Sequence, residues 1–288
     1  LLARVTLHKA ELTKFLAAAR DAAEHGAQQP ITECSGDGPE RLSFAQERLW
    51  FIQKLEESED GLGATYNVSA AMRLRGSLDV SALRRSLETI TGRHRVLRTR
   101  FTDSHDGAVQ TVDDELANLN LIDFTNTPTT QRRDAVQTFL EKETEYLFDL
   151  EATPPARFSL LEIGANEHIL CCVFHHLVMD GWSRGVLSRE LVSLYDAFSS
   201  GQASPLPSLA LQYADYAAHQ RRTLTPQAIA ADLVYWQDQL GGAPASIYLP
   251  LDFPRPARQS YRGGVVRFEF DKNMSDALKR LARECNAS

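Results

Sequence analysis

Residues 171–195 read CCVFHHLVMDGWSRGVLSRELVSLY, and the whole chain is organised around them. Ile169, Leu170, Cys171, Cys172, Val173 and Phe174 form a short apolar run, the pattern of a buried strand. A polar break follows at His175-His176-Leu177-Val178-Met179-Asp180-Gly181. Beyond it Val186, Leu187, Leu191, Leu194 and Tyr195 recur at helical spacing. A strand that ends in two histidines and Asp-Gly, then turns into a helix, sets ionisable groups at the mouth of a sheet. Loops held by a rigid scaffold are where reacting groups tend to sit.

Histidine takes and returns a proton near neutral pH when its ring is held in one tautomer. Adjacent histidines on extended backbone point to opposite sides, so one of His175 and His176 faces a cavity and the other faces packing. Asp180 can hold the turn by accepting backbone N–H groups or by pairing with an arginine. Gly181 permits positive φ or the close approach of a substrate to the backbone. A lone histidine at a strand end is more often structural than catalytic, so the pocket and its partners must decide. His176 and Asp180 also have ligand-type side chains, but no third ligand stands at a convincing spacing, and no metal is expected.

The 43% hydrophobic content of 288 residues supports a substantial core, and 24% charged residues is ordinary. A net charge of −7 without a dense basic block argues against nucleic acid as the main partner. The four cysteines show neither metal spacing nor a small-domain disulfide framework, which fits a reducing, cytoplasmic setting. No apolar run reaches membrane-spanning length. The chain opens without Met inside an apparent helix, so it is expected to be an excised segment of a longer protein.

In chain order, residues 1–23 read as a helix and residues 24–41 as a Gly- and Pro-containing linker. Ser43 with Gln46 three residues on is a capping-box pair, opening an amphipathic helix through Trp50. Residues 66–74 alternate as a strand, and Val80, Leu83, Leu87 and Ile90 mark a helix. Arg93, Arg95, Arg98 and Arg100 then lead into a strand at Phe101. Residues 109–112, 119–124 and 157–163 read as strands, with a helix over 131–148. Asn166 and Glu167 make a tight turn into the strand at Ile169. After a Pro-rich break near Pro205 and Pro207 come helices over 228–240 and from 275, with a strand at 263–270 between them. There is no Gly-rich phosphate loop, no GxSxG motif and no carrier-type Ser attachment motif.

Five of these segments together resemble the condensation domains of nonribosomal peptide synthetases. His175 to Ser183 is similar to their HHxxxDGxS motif. Ser43 to Trp50 matches SxAQxRLW, and Arg93 to Phe101 resembles RHExLRTxF with Arg95 in place of the usual Glu. Arg95 is expected at the surface, where the change matters little. Residues 211–217 resemble YxDYAxW without its Trp, an aromatic pair expected to pack in the core or between lobes rather than to meet substrate, and residues 249–256 resemble LPxDxPRP.

The resemblance implies an α/β (α+β) fold like chloramphenicol acetyltransferase. Two lobes form a tunnel, with the N-terminal lobe over 42–208 and the connection and start of the C-terminal lobe over 209–288. A full domain runs further, so the second lobe is expected to be only begun and the isolated chain inactive. The implied activity is peptide-bond formation between a donor aminoacyl or peptidyl thioester and the amine of an acceptor aminoacyl thioester. Both substrates ride on 4'-phosphopantetheine of carrier proteins, so no cofactor is bound directly.

His176 is the implied base or positioning group, with His175, Asp180 and Gly181 beside it. The resemblance further implies that Arg93, or else Arg98, pairs with Asp180, while Trp182 and Ser183 support the loop. Implied partners are donor and acceptor carrier proteins and an adjacent adenylation domain. Residues 1–23 also resemble the last helix of docking domains that recruit an upstream synthetase subunit. The Asp180-Gly181-Trp182-Ser183 order is that of domains joining an L donor to an L acceptor, whereas epimerisation domains read DGVSW. A non-catalytic domain that only recruits carriers is the alternative from another class.

Overall fold

The structure is a computed structural model that describes residues 30–33, 38–57, 64–244, 246–254, 264, 266 and 268–287. The helix expected at residues 1–23 and most of the expected linker lie outside the described residues. One compact unit ends at Gly241 and a second begins at Gly242.

The first unit is built on a four-stranded sheet in the order β2-β7-β6-β5. These strands are β2 (Asn67–Arg75), β5 (Leu119–Asp123), β6 (Ala156–Gly164) and β7 (Glu167–His175). β7 pairs antiparallel with both neighbours, while β5 runs parallel to β6. A parallel pair needs a crossover connection, and α3 (Thr129–Thr144) supplies it. The apolar run seen in the sequence is the interior of β7, buried from His168 to His175. Cys171 and Cys172 sit there as small hydrophobes, and burial pushes their thiols up to about 11 and about 12.

Helix α3 lies against β2 and β7, and α2 (Val80–Arg93) packs on α4 (Gly181–Ser199). Asp79 caps α2 by accepting the Ala82 N–H, and Ala82, Leu83, Leu87 and Ile90 form its buried stripe. That stripe joins Phe158, Phe174 and Leu194 in one hydrophobic cluster. A second antiparallel sheet holds β1 (Glu40–Arg41), β4 (Val109–Val112) and β3 (Thr99–Thr102), in that order. The strand expected at Phe101 is β3, which starts at Thr99, and the arginine run before it includes a 3₁₀ turn over Arg95–Arg98. Arg95 is exposed.

Residues 209–241, expected to hold the connection between lobes, fall in the first compact unit. The reason is α5 (Tyr213–Thr223), which packs on β1, on the 3₁₀ turn and on α1 (Phe44–Glu57). Helix α6 (Ala230–Leu240) closes this unit. In the second unit, Asp271 caps α7 (Lys272–Glu284) by accepting the Met274 N–H at 2.7 Å. The strand expected over 263–270 is not formed at residues 268–270, and no described strand lies beside them. Val266, Phe268 and Phe270 alternate in sequence but are exposed, and alternation without a partner makes no ladder. No helix among the described residues is long and apolar enough to cross a membrane.

Candidate active site

Three strand ends converge where β7 finishes. The His175 N–H donates to Pro155 O at 3.0 Å, just before β6, and the His176 N–H donates to Tyr66 O at 2.8 Å, just before β2. The chain direction is thus fixed at both histidines, and their side chains part. His175 is 0% exposed, whereas the His176 ring is exposed and lines a cavity of about 420 Å³.

His175 is held from beneath by α1. Its Nδ1 accepts the Leu177 N–H at 3.2 Å, so that nitrogen carries no proton, and Nε2 then donates to Gln53 Oε1 at 3.1 Å. Gln53 passes the bond on from Nε2 to Glu57 Oε1 at 3.1 Å. Burial, aided by the neighbouring His176, lowers the His175 pKa to about 4. A neutral ring in one tautomer therefore braces the loop that carries His176. Gln46 adds a second brace, donating from Nε2 to Leu177 O at 3.4 Å. The expected capping box is present at the start of the same helix, with Gln46 N–H to Ser43 Oγ at 3.2 Å and Ser43 N–H to Gln46 Oε1 at 3.1 Å.

Asp180 is the N-cap of α4. Its Oδ1 accepts the Ser183 N–H at 2.7 Å and the Ser183 hydroxyl at 2.6 Å. The Ser183 hydroxyl and then the Ser183 N–H hold the Asp180 carboxyl below the usual range. Asp180→Ala is expected to cost about 1 kcal/mol, the usual penalty for losing an acidic cap. In a unit of this size that lowers the melting temperature by roughly 2–4 °C. Thermal denaturation checks it, and an unchanged melting temperature with lost activity would point instead to a direct chemical part for the carboxylate.

The pairing of Asp180 with an arginine is corrected. Arg93 Nε meets Glu190 Oε1 at 3.2 Å, and its guanidinium also donates to Pro207 O. Arg98 donates to Asp113 O and lies 3.7 Å from Asp114. The Asp180 oxygen that faces α4 is already occupied by its cap, whereas Glu190 lies farther along the helix, where α4 packs on the end of α2. The arginine still ties α2 to α4, the helix that follows the histidine loop, but through another carboxylate.

The Trp182 side chain is 82% exposed and lines the cavity, so what it adds to the loop comes from its backbone, which helps hold the Asp180 carboxylate. Gly181 does not have positive φ, and a Cβ there would meet nothing within 4 Å. Its use lies in the open space over the backbone at the helix start. Tyr213, expected to be packing alone, lines the cavity with its hydroxyl 3.0 Å from Ser43 Oγ. Sequence reasoning also passed over Gln53, Glu190, Arg48 and His94. Arg48 and His94 line the cavity, and the second of these was visible only as part of an arginine-rich motif. Among the described residues no group of three or more His, Cys, Asp or Glu side chains converges as metal ligands.

Residues 39–288 match the family description "Condensation domain". The chain belongs to the condensation-domain family. It is 38% identical over 274 residues to a linear gramicidin synthase polypeptide of Brevibacillus parabrevis, covering 95% of this chain and 5% of that synthase. It is 38% identical over 263 residues to malpinin synthetase of Mortierella alpina, covering 91% of this chain and 3% of that protein. The chain thus spans a small fraction of the curated relatives it matches.

Among solved structures, the X-domain from teicoplanin biosynthesis superposes with a TM-score of 0.75 at 29% identity, over 90% of this chain and 56% of that one. The starter condensation domain of rhizomide synthetase RzmA superposes with a TM-score of 0.62 at 20% identity, over 72% of this chain and 49% of that one. The second likeness bears on fold alone. This condensation domain has the α/β, chloramphenicol acetyltransferase-like fold that its sequence motifs imply.

Proposed function

We propose that this condensation domain joins an acyl donor to an amine acceptor, each borne as a thioester on the 4'-phosphopantetheine arm of a carrier protein. The amine nitrogen attacks the donor thioester carbon, a C–N bond forms, the C–S bond breaks, and the amine proton leaves as the donor carrier's thiol is released. One observation carries this reading: of two adjacent histidines, His175 is sealed and neutral while His176 stands in the cavity.

His176 accepts a hydrogen bond from the attacking amine and holds its lone pair toward the thioester. Backbone N–H groups at the start of α4, near Gly181, favour the tetrahedral oxyanion. Much of the acceleration comes from holding two tethered reactants together, since orientation can be worth about 7–11 kcal/mol. The partners that go with this reading are a donor and an acceptor carrier protein and a neighbouring adenylation domain.

The test is to load defined aminoacyl groups onto donor and acceptor carriers, add the condensation domain in its full synthetase, and detect the dipeptide by mass spectrometry. Dipeptide formed only when both carriers are loaded supports the reading, and none above a domain-deleted control overturns it. A second reading, recruitment without chemistry, draws on the X-domain, which has been solved in complex with OxyB. Carrier binding that survives alongside a complete absence of product would favour it.

A further inference from the structure

A second imidazole faces the same cavity and has no part in the scheme above. His94 lies between the end of α2 and the 3₁₀ turn, and it lines the cavity together with His176. Its backbone is gripped on both sides by a single amide. Gln212 Nε2 donates to Arg93 O at 3.1 Å, and Gln212 Oε1 accepts the Arg95 N–H at 3.1 Å. The ring is gripped as well, with Nε2 2.6 Å from Glu190 Oε2. The other oxygen of that carboxylate takes Arg93. Glu190 is thereby held between a guanidinium and an imidazole, both well shielded from solvent.

A carboxylate offers only acceptors, so Nε2 must carry the proton of the His94–Glu190 bond. That leaves Nδ1 as the nitrogen free for a ligand, and no described residue is hydrogen-bonded to it. In the neutral ring Nδ1 is an acceptor. Purely structural tethering of α2 to α4 is already supplied by Arg93, and it needs no imidazole at a cavity wall. Fixing a ring by its backbone and by one nitrogen, while leaving the other open, is the arrangement of a group set to receive an N–H.

We propose that His94, braced by Glu190 and Gln212, is a substrate-binding residue that accepts an N–H from the carrier-borne substrate through Nδ1. The proposal rests on the reading that the cavity receives tethered substrates. The N–H has two possible sources with the same chemistry, the aminoacyl amine or an amide of the pantetheine arm.

Two replacements separate binding from tethering. His94→Gln retains a donor in the place of Nε2 for Glu190 but loses the acceptor at Nδ1. His94→Asn keeps an acceptor at the Nδ1 position and loses the reach to Glu190. Affinities are measured by calorimetry on the 288-residue chain, with two probes: pantetheine alone, and a stable amide analogue of aminoacyl-pantetheine. His94→Gln is expected to melt as the parent does and to bind the aminoacyl analogue roughly fivefold more weakly, the loss of one neutral hydrogen bond. His94→Asn is expected to bind more tightly than His94→Gln despite a lower melting temperature.

Weakening of the aminoacyl analogue alone identifies the amine, and equal weakening of both probes identifies the arm. Equal affinity of parent and His94→Gln, or no binding of either probe to the parent, overturns the proposal. Because the readout is binding, a domain that binds through His94 yet forms no peptide would sink the catalytic reading and leave this one standing.

Discussion

His176→Ala is expected to lower dipeptide formation by roughly 10²–10⁴-fold, the range typical of losing a group that manages a proton in the transition state. The melting temperature should stay within about 2 °C of the parent, since an exposed side chain away from packing contributes little to stability. The ring is exposed, and no described residue is hydrogen-bonded to it, so its removal leaves no buried group unsatisfied. The loop keeps its shape through His175, Gln46 and Asp180, none of which touches that ring in these contacts.

His176→Gln then divides two roles. Glutamine accepts a hydrogen bond from the amine but cannot carry off its proton at neutral pH. Recovery of much of the rate in that variant means that holding the amine suffices, and rates as low as for alanine mean that proton removal is the contribution. Parent-like turnover by His176→Ala, measured by mass spectrometry with carrier-loaded substrates, would remove the residue from the chemistry.

The division of labour between the two histidines follows from sequence, because extended backbone sends neighbouring side chains to opposite sides. The cap formed by Asp180 was one of two alternatives open to a carboxylate before a helix. The other alternative, pairing with Arg93 or else Arg98 as the family resemblance implied, names the right arginine for α4 but the wrong carboxylate. Asp180 and Glu190 both flank or lie on α4, and only the packing of α2 on α4 decides which of them Arg93 reaches.

Gln53 was invisible for another reason. Hydrophobic periodicity assigns polar residues to the wet face of a helix, yet α1 buries Gln46, Gln53 and Glu56 together with Trp50. The helix serves the histidine loop as a source of hydrogen bonds, and its pattern reads as weakly amphipathic on that account. His94 was masked by its neighbours, since four arginines in eight residues suggest a charged surface rather than a cavity wall. The alternation near residue 266 shows the converse failure, a strand pattern with no strand beside it among the described residues.

Acidification is expected to destabilise the first compact unit through His175, by up to about 3 kcal/mol between pH 6.5 and pH 4. In the unfolded chain the imidazole titrates near its ordinary value of 6.5, and in the folded protein burial lowers it to about 4. Between those two values the unfolded state binds more protons than the folded state, so stability rises with pH. The full contribution is present above pH 6.5 and is lost as pH falls toward 4.

Other groups act in different windows or with the opposite sign. Asp79 and Asp180, held low mainly by the hydroxyls of Ser81 and Ser183, begin to lose stability only as the pH falls below their ordinary 3.8. Glu56, raised above 4.5 by burial, binds its proton more readily when folded and so offsets part of the loss. His175→Asn isolates the term, because its amide oxygen can stand in for Nδ1 toward the Leu177 N–H while having no proton to gain.

Urea denaturation of parent and variant at pH 7.5, 6.5, 5.5 and 4.5 is expected to show the parent losing its advantage stepwise, with the two curves drawing together toward acid. Curves that stay parallel would mean that His175 takes up a proton as readily folded as unfolded, and the sealed, neutral ring would be wrong. The same proton would displace the Leu177 N–H from Nδ1, the bond that shapes the loop under His176. Peptide formation is therefore expected to fall over the same acid range in the parent.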